Sequence, residues 1–431
     1  MPHPYSRRRF LSQTALATAG LSLTRSALAR KISPNEKLNL GIIGVANQGN
    51  YDLSNVTSEN IVALCDVDDK FLAGAAAKFP QAKTYSDFRR LLDQKDIDAV
   101  VIATPDHTHA PITVAALKSG RHVYCEKPLT HTISECHVVM ETARKMKRVT
   151  QIGTQIHAGT NYRRVVELVQ TGAVGEINEV HVWVNATYGG KELPKDTPTV
   201  PAGLHYDLWL GPAAYRPYSP EYLPFNWRHW WSFGGGALAD FGCHFMDLPH
   251  WALGLRVPSS VEVVDGPPIH PESTPPWLIV RYEYPALHGH QPLKLAWYHG
   301  GKKPSKEVLS HDIAAKWDSG VLFIGSKGML LSDYGRHVLL PEKEFAGFTP
   351  PAPFIKDSIG HHAEWIRACK TGETTTCNFE YSGALTEAAL LGNLAYRVGK
   401  KIEWDSKHLR ASNSPEAAQF IHHHYRPGWK I

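Results

Sequence analysis

The sequence predicts an α/β protein: a doubly wound parallel sheet first, then a second region of strands that alternate with period two. Three observations predict it. Apolar runs alternate with stretches of helical spacing over residues 38–155. The first run ends in a glycine-bounded turn, Gly44-Val45-Ala46-Asn47-Gln48-Gly49. Beyond residue 178 apolar residues recur at every second position, as in Val180, Val182 and Val184.

The first run, LNLGII, reads as a buried strand leading into that turn. The spacing G-x-A-x-x-G is a dinucleotide fingerprint with alanine at its middle position. Gly44 permits the tight turn, and a small residue at Ala46 lets backbone approach a pyrophosphate. Gly49 lets the next helix sit close to the strand, and that helix N-terminus, with Asn47 and Gln48, receives the phosphate charge. A second strand, NIVALCDVD, ends at Asp66, 22 residues after Gly44. That is where an acid binds the adenosine ribose hydroxyls. An acid there repels a 2′-phosphate, so NAD is expected over NADP, with Asp68 as the competing acid.

The alternation continues through a strand at 97–104, a helix at 108–120 that stops at Gly120, and a strand at 122–127. Thr132 and Glu135 form a capping box, ahead of Ile133, Cys136, Met140, Ala143 and Met146 on one helical face. A last strand spans 149–155. In such sheets the ligand crevice lies at the carboxyl ends of the strands. Those ends carry Ala46 to Gly49, Asp66, Thr104-Pro105, Glu126-Lys127-Pro128 and Gln155.

Further strands are expected at 178–188, 276–284 and 293–300, with a hairpin over 320–333 that turns near Ser326-Lys327-Gly328. Residues 185–233 break the pattern. This stretch is rich in Gly, Pro and aromatic residues, and a loop of that length is functional or a packed lid. Most of its rings are expected to pack the loop down and some to line a pocket. Asp240 and His244 follow, four apart and so on one face of a helix. Asp247 is expected to continue that face in a structural role. A metal pair is the alternative, but two ligands at this spacing are too few for zinc.

The motifs ATPDHTHA (103–110), CEKPLT (125–130), GGGALADFGCHFMD (234–247) and VGKKIEWD (398–405) together resemble the Gfo/Idh/MocA family of NAD(P)-dependent sugar and cyclitol oxidoreductases. The resemblance spans about 36 to 405. It implies an NAD-binding Rossmann domain (36–155), a substrate and oligomerisation domain (156–405) of α+β type on an open, mostly antiparallel sheet, and a tail (406–431). In this family the open sheet face supports homo-oligomers, dimers or tetramers. The resemblance makes Lys127, His244 and Asp240 the catalytic candidates, with His244 transferring the proton and Asp240 partnering Lys127 or a substrate hydroxyl.

Burial and a cationic nicotinamide are expected to lower the Lys127 pKa from ~10.4 toward ~7–8. Glu126 is expected to orient the lysine or meet the nicotinamide ribose, and His109 to pack near the nicotinamide or serve as a core histidine. Tyr162, Arg163, Trp227 and Arg228 join Lys127, Asp240 and His244 as substrate contacts.

The label SRRRFL at residues 6–11 precedes a short apolar run and Ala27-Leu28-Ala29. This pattern predicts a twin-arginine signal over 1–29, export to the periplasm, and the twin-arginine machinery as a partner. The segment 1–29 carries four arginines and no acids, so it supplies most of the formal charge of +5. The remainder has no polyanion-binding balance and no nucleic-acid motif. No other apolar run is long enough to span a membrane as a helix. The six cysteines show no C-x-x-C spacing, and no metal is expected. The run His422-His423-His424 reads as solvated.

Free NAD is not replenished outside the cytosol. An exported enzyme is therefore expected to keep its cofactor and act on the CH–OH group of a sugar, glycoside or cyclitol. The first alternative is redox-neutral NAD-dependent glycoside cleavage by oxidation, elimination, hydration and reduction. Exported family members of that kind often lack the Glu-Lys-Pro lysine, which is present here. The second alternative is a non-catalytic sugar-binding protein.

Overall fold

The computed structural model describes residues 36–286, 291–422 and 424–431. The expected signal at 1–29 lies outside them. The chain first alternates β1 (Asn39–Ile43), α1 (Gln48–Asn55), β2 (Asn60–Cys65), α2 (Asp69–Ala76), β3 (Lys83–Tyr85), α3 (Phe88–Asp93), β4 (Ala99–Ile102), α4 (Asp106–Lys118), β5 (His122–Cys125), α5 (Ile133–Met146) and β6 (Thr150–Ile152). The strands form one parallel sheet in the order β3-β2-β1-β4-β5-β6. The strand order reverses between β1 and β4, so the crevice opens there. β4 is buried throughout because helices cover both faces. The capping box forms: Thr132 N–H donates to Glu135 Oε2 at 2.9 Å.

The second part runs through α6 (Thr160–Gln170), β7 (Ile177–Val184), α7 (Tyr206–Leu210), α8 (Gly236–Phe245), α9 (Asp247–Leu253), β8 (Ser260–Asp265), β9 (Leu278–Tyr284), β10 (Leu293–His299), α10 (His311–Ala314), β11 (Gly320–Gly325), β12 (Gly328–Ser332), β13 (His337–Leu340), α11 (His361–Thr371), α12 (Phe379–Val398), β14 (Ile402–Asp405), β15 (Arg410–Ala411) and α13 (Ala418–Ile421). Its sheet has the order β13-β12-β11-β7-β10-β9-β8-β14-β15. The β7–β10 pair is parallel and the other pairs are antiparallel.

The period-two residues Val180, Val182 and Val184 face a core with Val165 of α6, Leu238 of α8 and Leu391 of α12. The opposite face is not fully open. Trp183, Tyr298 and Leu322 on it are covered by Leu309, Ala314 and Trp317, and Trp183 Nε1 donates to the Trp317 carbonyl at 3.0 Å. The free part is charged, with Arg281 and Lys294 exposed.

The chain then returns to the first sheet. Trp365 and Ile366 of α11 pack with Leu38, Leu40 and Tyr124. The edge strand β6 gains partners from the same stretch: Ile152 N–H donates to the Cys377 carbonyl at 3.1 Å, and Thr375 Oγ1 donates to the Thr150 carbonyl at 2.6 Å.

Residues 185–233 are mostly irregular. Tyr206, Trp209, Tyr222, Trp227, Trp230 and Phe233 form a small aromatic core of their own. The stretch is tied to the first sheet by His205 N–H to the Val67 carbonyl (2.8 Å) and by Asp69 N–H to the Gly203 carbonyl (2.9 Å). It is therefore a packed roof over the carboxyl ends of the first sheet.

Candidate functional site

A cavity of about 570 Å³ lies beneath this roof. The fingerprint turn forms one wall. Gly44 has a φ of 85°, and a β-carbon there would strike the Ala103 carbonyl. A β-carbon at Gly49 would strike the Gly44 carbonyl, so glycine seats α1 against β1. Ala46 accepts from Gly49 N–H at 2.8 Å to close the turn. Asn47, at a φ of 49°, precedes α1. Ala46, Asn47, Gln48, Asp66, Thr104, Pro105, Glu126 and Lys127 all line the cavity.

Asp66 is fixed by its neighbours. Its carboxylate accepts from Val45 N–H at 2.9 Å and from Asp68 N–H at 3.0 Å. Burial raises its pKa, and those two bonds oppose the rise. The cradle that no side chain could occupy, the start of α1 with no side-chain cap among the described residues, and the acid at the tip of β2 together fit a dinucleotide.

At the other end the charges converge. Lys127 Nζ donates to Asp240 Oδ1. The Arg228 Nε stands 3.3 Å from Asp240 Oδ2. The Arg228 guanidinium lies between Trp227 and Phe225, 4.1 and 4.3 Å from their ring centroids. Burial alone would raise the Asp240 pKa, but Lys127 and Arg228 hold it down at about 2. The expected downward shift of Lys127 is not what this site produces. Burial pushes it down, yet Asp240 and Glu126 outweigh burial and hold the ammonium above its ordinary value.

His244 lies one turn below Asp240 on α8, as the four-residue spacing predicts. It is not on the cavity wall. Burial, then Lys127, lowers its pKa to about 3, so it is neutral, and its Nδ1 is enclosed without a hydrogen-bond partner among the described residues.

Glu126 is buried behind the wall it contributes to. Its Oε1 accepts from Gln48 Nε2 (3.2 Å) and Gln155 Nε2 (2.6 Å). Gln48 also donates to Asp52 at 3.3 Å, and His362 Nε2 lies 2.9 Å from the same Asp52 oxygen. Burial and mutual repulsion lift Glu126 to about 8. Burial lifts Asp52 to about 7.

Several expected site residues act elsewhere. Gln155 does not line the cavity; it supports Glu126 and Tyr124 from behind, the latter at 3.0 Å. His109 is a core histidine, not a nicotinamide contact. Its nitrogens lie 2.7 Å from the Pro128 and Thr104 carbonyls, which ties the two crevice loops together. Two carbonyls favour the protonated ring, but complete burial dominates and its pKa falls to about 4.

Tyr162 and Arg163 are not substrate contacts. Tyr162 is fully buried with its hydroxyl donating to the His244 carbonyl at 3.3 Å. Arg163 pairs with Glu364 at 2.8 Å. Asp247 leaves the Asp240 face, starts α9, and accepts from the Tyr381 hydroxyl (2.6 Å) beside His157 Nδ1 (3.0 Å).

Sequence reasoning missed four residues. Asp106 is buried on the cavity wall, with Oδ1 unpartnered among the described residues. Burial and Asp240 raise its pKa well above the carboxylate range. Asp106 directly follows Thr104-Pro105, so that strand end held a usable signal. Asp52 lies one turn beyond the fingerprint. His362 and Trp429, another wall residue, reach the site only through the fold. Among the described residues no group of three or more metal-ligating side chains forms.

Comparison with known proteins agrees. The model described as "Oxidoreductase family, NAD-binding Rossmann fold" matches residues 38–154, and "Oxidoreductase family, C-terminal alpha/beta domain" matches residues 159–291, together more than half of the chain. The inositol 2-dehydrogenase of Salmonella typhimurium is 33% identical over 150 residues, 33% of this chain and 45% of that protein. A glycosyl hydrolase family 109 protein of Solibacter usitatus is 34% identical over 192 residues, 40% of this chain and 44% of that protein. The matched stretch thus spans under half the length of these curated relatives.

Two solved structures share the fold. Levoglucosan dehydrogenase, in complex with NADH and levoglucosan, has a TM-score of 0.57 at 18% identity, covering 85% of this chain and 99% of that one. The WlbA dehydrogenase from Bordetella pertussis, in complex with NADH and UDP-GlcNAcA, has a TM-score of 0.60 at 18% identity, covering 86% and 99%. The glycine cradle, Asp66 and the two matching domains lead to one conclusion: this chain belongs to the Gfo/Idh/MocA family of oxidoreductases and binds NAD through its Rossmann sheet.

Proposed function

We propose that this protein oxidises the CH–OH group of a sugar, glycoside or cyclitol and keeps its NAD through turnover. The observation that carries this is the pair Lys127 and Arg228 on the wall at the β5 end of the dinucleotide cavity, both held by Asp240, which is not itself on that wall. NAD, when bound, supplies the hydride chemistry. Lys127 Nζ holds a proton and a positive charge where substrate oxygen becomes negative. Asp240 sets that charge. A hydroxyl drawing Asp240 away would ease the lysine toward release of its proton. His244, with its pKa held at about 3 by burial and by the Lys127 charge, takes up a proton only weakly, so the proton exchanged with the substrate hydroxyl resides on Lys127 Nζ. Trp227 and Phe225 enclose the Arg228 guanidinium beside the cavity and exclude water from it.

The Solibacter usitatus relative's name favours a second reading, redox-neutral glycoside cleavage through the same site. We also infer export by the twin-arginine route from residues 6–29, and a dimer or tetramer built on the exposed part of the second sheet. The test is to purify the chain without added cofactor, record bound NAD(H) by absorbance, and incubate it with sugars and aryl glycosides. Product formation without added NAD supports a retained cofactor. Activity only with added NAD overturns retention. Aryl release without net redox change selects the glycosidase.

A further inference from the structure

The cavity has an end that the proposed chemistry does not use. Asp66 stands at the tip of β2, and Ser86, Asp87 and Phe88 line the same end just past β3. Lys127 and Arg228 lie over the opposite half of the sheet. With Asp66 on the ribose, the β3 side takes adenine. Trp429 joins the wall there. Its ring centroid is 6.0 Å from that of Phe88, and the Arg89 guanidinium sits 5.0 Å over it.

Trp429 is held by a firmly anchored segment. Arg426 donates from Nε to the Gly211 carbonyl (2.5 Å) and from Nη1 to Asp207 Oδ1 (2.6 Å). Its backbone N–H donates to the Pro212 carbonyl at 3.2 Å. The Tyr425 hydroxyl donates to Glu135 at 2.5 Å. Ile431 packs on the core of the first sheet. The segment is thereby fastened to the first sheet on one side and to the roof helix α7 on the other.

We propose that Trp429 is an adenine-binding residue and that residues 425–431 form a strap that must lift before the dinucleotide exchanges. An indole offers an apolar π face that suits a purine. Arg89 and Phe88 fix its plane, and the Arg426 bonds resist its departure. The inference rests on the cavity being the NAD site and adds the element that slows release.

The test compares the full wild-type chain with Trp429→Ala, Trp429→Phe and Arg426→Ala, each checked for fold by circular dichroism. NADH release is followed by stopped-flow fluorescence against excess NAD, and AMP and nicotinamide mononucleotide affinities by calorimetry. Trp429→Ala is expected to release NADH about tenfold faster and bind AMP about tenfold more weakly, with nicotinamide mononucleotide unchanged. Trp429→Phe should recover most of both, and Arg426→Ala should speed release. Release at the wild-type rate in Trp429→Ala and Arg426→Ala overturns the proposal, as does equal loss of both half-ligands. A wild-type chain that binds neither NAD nor AMP removes the cofactor reading itself.

Discussion

Lys127, Asp240 and Arg228 form a buried set of two cations and one anion whose net charge depends on every member. Removing Asp240 leaves two enclosed cations facing each other. Asp240→Ala is expected to destabilise the fold by about 3–5 kcal/mol, read as a lower urea midpoint. An unchanged midpoint would show that water already screens the site. Lys127→Ala removes one cation while Arg228 still pairs with Asp240. It should fold, retain NAD, and lose turnover by about 10²–10⁴-fold; turnover at the wild-type rate would sink the mechanism. Lys127 and Asp240 were legible in the sequence because each belongs to a short motif at a strand end or on one helix face. Gln155, Tyr162 and Arg163 were misread, and the two readings of His109 stayed open, for one reason. Position along the chain brings a residue near the crevice, but only packing decides whether its side chain points in or braces the wall from behind. Asp52 and His362 share a carboxylate oxygen contact across 310 positions, which no local pattern records.

At the scale of elements, the joint between β1 and α1 is the most demanding. Gly49→Ala would drive a β-carbon into the Gly44 carbonyl, which is backbone and cannot yield. The helix must tilt away, so NADH affinity should fall at least about tenfold by fluorescence titration; unchanged affinity would mean that α1 does not receive the pyrophosphate. The strands with full apolar runs, β1, β2, β4 and β5, were legible because period and burial coincide. β3 was not, since its three residues are mostly exposed. The 20-residue α12 was also missed. It carries Gly383 and Gly392, which weaken any helix signal. Both have packing reasons: a β-carbon at Gly383 would strike Met140, and one at Gly392 would strike Tyr282. The second sheet was expected to bare one face, yet Trp317 and Leu309 cover part of it. Long loops folding back onto a sheet leave no periodic trace.

For the whole molecule, acid and base act on different buried groups. Burial lowers His244 and His361 to about 3, and His250, His299 and His362 to about 4. In the unfolded chain histidine binds its proton below about 6.5. Stability from keeping these rings neutral is therefore complete above that value and lost as pH falls toward 4. Asp52 and Glu126 act in reverse. Their folded values of about 7 and 8 exceed the unfolded ones, so their contribution disappears as pH rises through 7 and 8. Melting temperature should peak near pH ~6–7. A steady rise from pH 5 to 9 by calorimetry would contradict the assignment.

The return of α11 to the first sheet has a consequence for the order of events during synthesis. The nucleotide-binding strands are contiguous in the chain, yet they are not finished when they emerge. His361 meets the Ile152 carbonyl from 209 positions away, and Trp365 fills the space beside Leu38 and Leu40. Until those residues exist, the early sheet has an open edge and a bare apolar patch. Cofactor loading is thus an act of the nearly complete polypeptide. A fragment ending at residue 155 would be a poor NAD binder despite carrying the whole fingerprint.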